Sequence, residues 1–173
     1  MSRGRKHFVG QAGQFHVAYC LSVRGYHTAI TLGNAPNVDI LLSASDGSNL
    51  LSLQVKTSTW AHCPKRYGFE LCQWDVGESA VGHSNANFWY AFVDLQEKTV
   101  DGYTSWNPRV YIVPSTWVAS MVTANYSRKI YFLRHELWAE CAERWDRIDG
   151  YFNGSQDTLS WINTIPIEST NSW

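Results

Sequence analysis

Asp39, Gln54 and Lys56 are the residues of this chain whose types and spacing could do chemistry together. Asp39 opens the apolar run Ile40-Leu41-Leu42. Gln54 and Lys56 lie in the run Leu50-Leu51-Ser52-Leu53-Gln54-Val55-Lys56-Thr57-Ser58. Each run reads as a strand, and the stretch from Ser43 to Asn49 between them is dense in turn formers. A hairpin built this way brings Asp39 to Gln54 and Lys56. The latter two are two apart on one strand, so both side chains leave the same face. One carboxylate, one amide oxygen and one ammonium then surround a small space that suits a hard divalent cation and a phosphate.

Hydrolysis of a phosphodiester needs charge neutralised on the nonbridging oxygens, a nucleophilic water and help for the leaving oxygen. Mg2+ or Mn2+ supplies the first two. Asp39 is the one strong anionic ligand, and Gln54 Oε1 and the Val55 carbonyl add neutral oxygens. Lys56 could hold the attacking water or the charge developing on the phosphate. One acidic ligand where two are usual implies weak metal binding until a substrate phosphate adds its own oxygens. Thr57 and Ser58 could bond a phosphate, and so could the basic arm of Arg3, Arg5 and Lys6. Plainer readings stand beside these. Asp39 could end a strand, Gln54 and Lys56 could line a solvated face, and the two hydroxyls could bond local backbone.

The elements that must position these residues are legible in outline. Residues 8–24 read as a helix with Phe8, Ala12, Phe15 and Tyr19 on one apolar stripe, widened by Val17, Ala18 and Leu21. Arg24-Gly25 is its C-terminal stop. A strand over 26–32 and a turn over 33–36 lead to Asp39. Residues 60–87 read as one short strand near Phe69 within a long irregular connection. Phe88 to Leu95 is a near-continuous apolar run, as in a strand buried on both faces, and Val110 to Val113 is another, ended by Pro114. Ser115 could cap a helix running to about Ala124. Leu133, Leu137, Cys141, Trp145 and Ile148 recur at helical spacing, which predicts an amphipathic helix over 133–148. The order predicts an α/β fold with a mixed central β-sheet flanked by helices.

This pattern resembles the PD-(D/E)xK, or restriction-endonuclease-like, nuclease superfamily, in particular small bacterial members with an Asp…Gln-x-Lys site. The matching residues are Gly10 to Tyr26, Thr31 to Ile40 and Gln54 to Ser58, with Phe88–Leu95 and Tyr111–Ser115 as later core strands. The resemblance covers about two thirds of the chain. It implies that Asp39 is the metal-binding aspartate, Gln54 holds the second acidic position and Lys56 is the lysine. Gln14 lies where many members carry a helical glutamate facing the metal. Glutamine thus replaces a carboxylate at two positions. The implied activity is metal-dependent endonucleolytic hydrolysis of DNA, with DNA as partner. Members that cut both strands often act as homodimers, and no segment here marks such an interface. The alternative is a catalytically inactive descendant of the same fold that binds nucleic acid or a protein partner.

Length and composition set bounds on these readings. The 173 residues suit one nuclease-like domain over 1–150, with residues 1–7 as the basic arm and 151–173 as a polar extension. A formal net charge of −1 confines any nucleic-acid contact to a local patch. Nine Trp and nine Tyr give aromatic surface for core packing, for base stacking, or for a protein interface if the chain is a small interaction protein. No apolar stretch reaches membrane-spanning length. The four cysteines lack paired spacing and no signal-peptide core follows the N-terminus, so a reduced, cytoplasmic location is expected.

Overall fold

The computed structural model describes residues 3–31, 37–66, 69–77, 80, 82–121, 130–134 and 141–155. Its centre is a mixed sheet of five strands: β1 (His27–Ile30), β2 (Ile40–Ser43), β3 (Leu50–Ser58), β6 (Phe88–Asp94) and β9 (Arg109–Pro114), in that spatial order. β3 and β6 run parallel, and the other neighbours are antiparallel. The expected hairpin is β2–β3, with Ile40 opposite Leu53 and Ser43 opposite Leu50. Every residue of β6 is buried. Its odd positions, Trp89, Ala91 and Val93, join a core with Leu51, Leu53 and Val55. Its even positions, Phe88, Tyr90 and Phe92, join a second core on the opposite face. A continuous apolar run is therefore what this strand requires.

Helix α1 (Arg3–Ser22) and helix α3 (Asp146–Phe152) cover the first face. α1 stops as expected: Gly25 takes a positive φ of 89° and Arg24 Nη1 donates to the Cys20 carbonyl at 2.7 Å. It starts earlier than expected, so Arg3, Arg5 and Lys6 lie in its first turns rather than in an arm ahead of it. Its facing is also corrected. Gly13, Val17, Ala18 and Leu21 are buried, while Phe8, Phe15 and Tyr19 are exposed. The reason is close approach: a Cβ on Gly13 would lie 1.9 Å from Thr57 Oγ1 of β3, so at that position the helix face that meets the sheet admits only glycine.

The second face carries a small sheet that the sequence did not disclose. β4 (His62–Arg66), β5 (Phe69–Asp75) and β10 (Ile130–Arg134) pair antiparallel, with β5 in the middle. Residues 60–87 thus hold two strands rather than one. Trp74 anchors this sheet, with its ring 5.2 Å from Phe92 and its Nε1 donating to the Val93 carbonyl at 3.0 Å. Helix α2 (Ser115–Met121) lies beside it, and Ser115 Oγ bonds Asn85 rather than capping the helix.

The helix expected over 133–148 does not run unbroken, and its stretch 135–140 lies outside the described residues. Residues 130–134 form β10, and residues 142–143 run beside β9. There the Glu143 N–H donates to the Val110 carbonyl at 2.7 Å, with Glu143 at a φ of 55°. Glu143 Oε1 accepts from Val110 N–H and Oε2 from Trp145 Nε1, which redirects the chain into α3. Tyr151 and Phe152 belong to that helix and pack on the core, so the boundary at residue 150 falls inside an element. The rest of the expected extension, 156–173, lies outside the described residues, as does the turn at 33–36. β7 (Lys98–Val100) and β8 (Tyr103–Ser105) form an exposed ribbon between β6 and β9.

Candidate active site

Asp39 is held at every polar atom. Its N–H donates to the Leu53 carbonyl at 2.9 Å, and its carbonyl accepts from Thr31 N–H at 3.0 Å. The backbone there bridges β1 and β3 just before β2 begins. Oδ2 accepts from Val55 N–H at 2.7 Å, and Oδ1 accepts from Gln14 Nε2 at 2.7 Å. The carboxylate therefore stands where the next residue of β2 would have paired with β3. Each oxygen keeps a further lone pair, because a carboxylate has about four acceptor sites.

Register and side-chain bonds fix the neighbours. The regular β2–β3 register ends at Ile40 opposite Leu53, and the Asp39 N–H also bonds the Leu53 carbonyl, so the Asp39 side chain is placed by its own bonds to Val55 N–H and Gln14 rather than by alternation. Lys56 is two residues beyond Gln54 on the same face. The Val55 N–H points across to Asp39, and in a strand the carbonyl of the same residue leaves on the same edge. Asp39 is bonded to Val55 and its charge acts on Lys56, so these three lie together at the C-terminal half of β3, where Gln54 is the residue before Val55. Gln14 reaches them from α1, where Gly13 lets the helix sit against Thr57.

Two features of the cluster are chemically unfinished. Gln54 is 7% exposed, and its Oε1 is buried with no hydrogen-bond donor. A buried acceptor without a partner costs about 1–3 kcal/mol. Burial also pushes the Lys56 ammonium below the ordinary lysine range, while the charges of Asp39 and then Asp75 pull it back up. Because the folded pKa lies below the unfolded one, Lys56 weakens the fold at neutral pH. That cost fades as pH rises through the window between the two values. Lys56→Met is expected to raise the melting temperature at pH 7 by about 2 °C. The gain should shrink as pH approaches 10.4 or so, the unfolded lysine value. A pH-independent difference in calorimetric melts would contradict this reading of Lys56.

The remaining candidates divide. Thr57 points to α1, and its Oγ1 is buried against Gly13 with no hydrogen-bond partner. Ser58 Oγ accepts locally from Trp60 N–H at 3.2 Å. Arg5 Nη2 is paired with Glu97 at 2.7 and 3.0 Å, so its charge is already answered within the chain. Lys6 is exposed on α1, and the Arg3 side chain lies outside the described residues. Asp75 is exposed and close enough for its charge to act on Lys56. Asp94 was not singled out in the sequence. It is buried at the end of β6, accepts from the Ala61 and Gln96 N–H groups, and has its carboxyl pushed up by burial. An aspartate closing an apolar strand is the signal that marks it.

The donor set fits a hard divalent cation of modest affinity. One carboxylate with free lone pairs, one orphaned amide oxygen and one backbone carbonyl are all oxygen ligands. Among the described residues no three His, Cys, Asp or Glu side chains cluster so as to hold a metal ion, and Asp39 is the one carboxylate in this donor set.

No family model matches this chain, and no curated protein does. Among solved structures, a bacterial homing endonuclease superposes with a TM-score of 0.48 at 15% sequence identity, covering 91% of this chain and 96% of that one. No described helix is long and apolar enough to cross a membrane.

Proposed function

We propose that this chain is a metal-dependent endonuclease that hydrolyses DNA phosphodiester bonds at the cluster of Asp39, Gln54, Val55 and Lys56. The observation that supports it most is the buried, unpartnered Gln54 Oε1 on the residue next to Val55, whose N–H holds the Asp39 carboxylate. A cation shared by Gln54 and Asp39 would satisfy that oxygen. When bound, Mg2+ or Mn2+ would lower the pKa of a water and neutralise phosphate oxygens. Asp39 anchors the site by charge. Gln14 and the Val55 N–H orient its carboxylate, so its remaining lone pairs are preset. Lys56, poorly solvated, presents a positive charge to an anionic phosphate at little reorganisation cost. The test is cleavage of plasmid and short duplex DNA by purified protein with and without Mg2+ or Mn2+. Absence of metal-stimulated cleavage that tracks the protein through purification would sink the catalytic reading.

A second reading has its own observation. Both Asp39 oxygens already serve the protein, on Gln14 and on Val55. An inactive descendant that keeps Asp39 to seal the end of β2 and binds nucleic acid or a protein partner would show the same two bonds. Gln14→Glu separates the two. It would set a second carboxylate against Asp39 Oδ1, which Gln14 now meets at 2.7 Å. If the site holds metal, Mn2+ affinity by calorimetry is expected to tighten on the order of tenfold, since ligand charge sets affinity. Unchanged or undetectable Mn2+ binding in both proteins favours the inactive descendant.

A further inference from the structure

The face of α1 turned away from the sheet carries an ordered apolar row. Phe8, Phe15 and Tyr19 are exposed at 69%, 60% and 65%, with Ala12 exposed between them, and Val23, one residue past the helix end, is exposed at 62%. The steps of four, three, four and four residues keep the row within an arc of about 80° on a helix of 3.6 residues per turn. Its centre lies opposite the side that holds Gly10, Gly13, Val17 and Leu21. A row at alternating three- and four-residue steps suits a second helix, and exposed rows of this kind mark interfaces.

We propose that α1 packs antiparallel against α1 of a second copy of this chain through Phe8, Ala12, Phe15, Tyr19 and Val23. The row is complementary to its own reverse. With the two-fold axis beside Phe15, positions that sum to 31 face each other. Phe8 then meets Val23 of the other copy, Ala12 meets Tyr19, and Phe15 meets Phe15 near the axis. Large faces small at both outer levels, and aromatic rings meet at the centre. Charge selects the direction. α1 has Arg3, Arg5 and Lys6 in its first turns and no acidic residue anywhere. Parallel pairing would stack these cations. Antiparallel pairing separates them by about 30 Å, the length of a 20-residue helix, and sets each against a helix end whose one cation, Arg24, is turned onto the Cys20 carbonyl. Three rings about two-thirds exposed offer on the order of 400 Å² per helix. With Val23, Ala12 and the flanking stems, that approaches the ~600 Å² per partner at the low end of specific interfaces. This pairing is independent of the cleavage reading.

Sedimentation equilibrium of the full chain from about 1 to about 200 µM should show a reversible monomer–dimer equilibrium with a micromolar constant. Phe15→Glu and Tyr19→Glu should each weaken it at least ~100-fold while leaving circular dichroism and melting unchanged, because both side chains are exposed in the monomer. In a Cys20→Ser background under mild oxidation, Phe15→Cys should link to its own copy across the axis, and Phe8→Cys should not. A wild type that stays monomeric throughout overturns the proposal. So does a dimer indifferent to both glutamates. Efficient Phe8→Cys linkage overturns the antiparallel arrangement.

Discussion

Asp39→Asn and Lys56→Met are each expected to lower Mg2+- or Mn2+-dependent DNA cleavage about a thousandfold or more, the range for groups that answer charge at a reacting phosphate. The choice of asparagine follows from the structure. Asp39→Ala would leave the Val55 N–H without its acceptor and cost about 1–3 kcal/mol, so a dead alanine variant would not separate chemistry from folding. Asparagine keeps an oxygen for Val55 N–H, and its amide can meet a rotated Gln14 amide. It removes only the charge. Lys56→Met keeps the buried stem and also removes only the charge, and its fold should be firmer, as argued from its lowered pKa. The two variants thus predict opposite movements of stability and activity for Lys56, and loss of activity at near-constant stability for Asp39. Equal trace cleavage by wild type and both variants would mark a contaminant and leave the inactive-descendant reading standing. A chain that neither cuts nor binds DNA at low salt would instead favour an interaction protein.

The β2–β3 hairpin was more legible than the scaffold around it, for a physical reason. Its two runs, its turn and the two-residue period that sets Gln54 and Lys56 on one face are all local in sequence. Local rules also gave the end of α1 at Gly25 and the twice-buried β6. What failed depended on distant partners. α1 has two helical stripes, and periodicity alone cannot say which one meets the sheet. Apolar area argued for Phe8, Phe15 and Tyr19, but the distance to β3 at Gly13 admits only glycine there, so the aromatic stripe faces out. Helical spacing over 133–148 was real in composition, yet β5 claimed residues 130–134 and β9 claimed residues 142–143. Strand β4 and the sheet it forms with β5 were hidden because that sheet exists only once Trp74 and Cys72 find the aromatic face of β6 and β9. Gln14 needed the fold as well: its bond to Asp39 spans 25 residues and no local pattern encodes it.

Two glycines on α1 measure how far the site depends on that close approach. A Cβ on Gly10 meets nothing within 4 Å, while a Cβ on Gly13 would meet Thr57 Oγ1 at 1.9 Å and Thr57 Cβ and Cγ2 at 2.9 Å. Both glycines sit inside a helix, where alanine is intrinsically better by about 0.5–1 kcal/mol. Gly10→Ala should therefore raise stability by about that amount. Gly13→Ala should instead lower it by about 2–3 kcal/mol, or about 5–10 °C in melting temperature, because α1 must lift off β3. Lifting α1 draws Gln14 away from Asp39, so Gly13→Ala should also weaken Mn2+ binding, and Gly10→Ala should not. Removing the obstacle tests the cause. Thr57→Gly costs stability on its own account, yet in combination with Gly13→Ala the losses should fall short of their sum by more than 1 kcal/mol or so, the coupling expected of residues in contact. If Gly13→Ala proves as benign as Gly10→Ala, the helix is not seated on Thr57. The presetting of Asp39 by Gln14 then loses its structural basis.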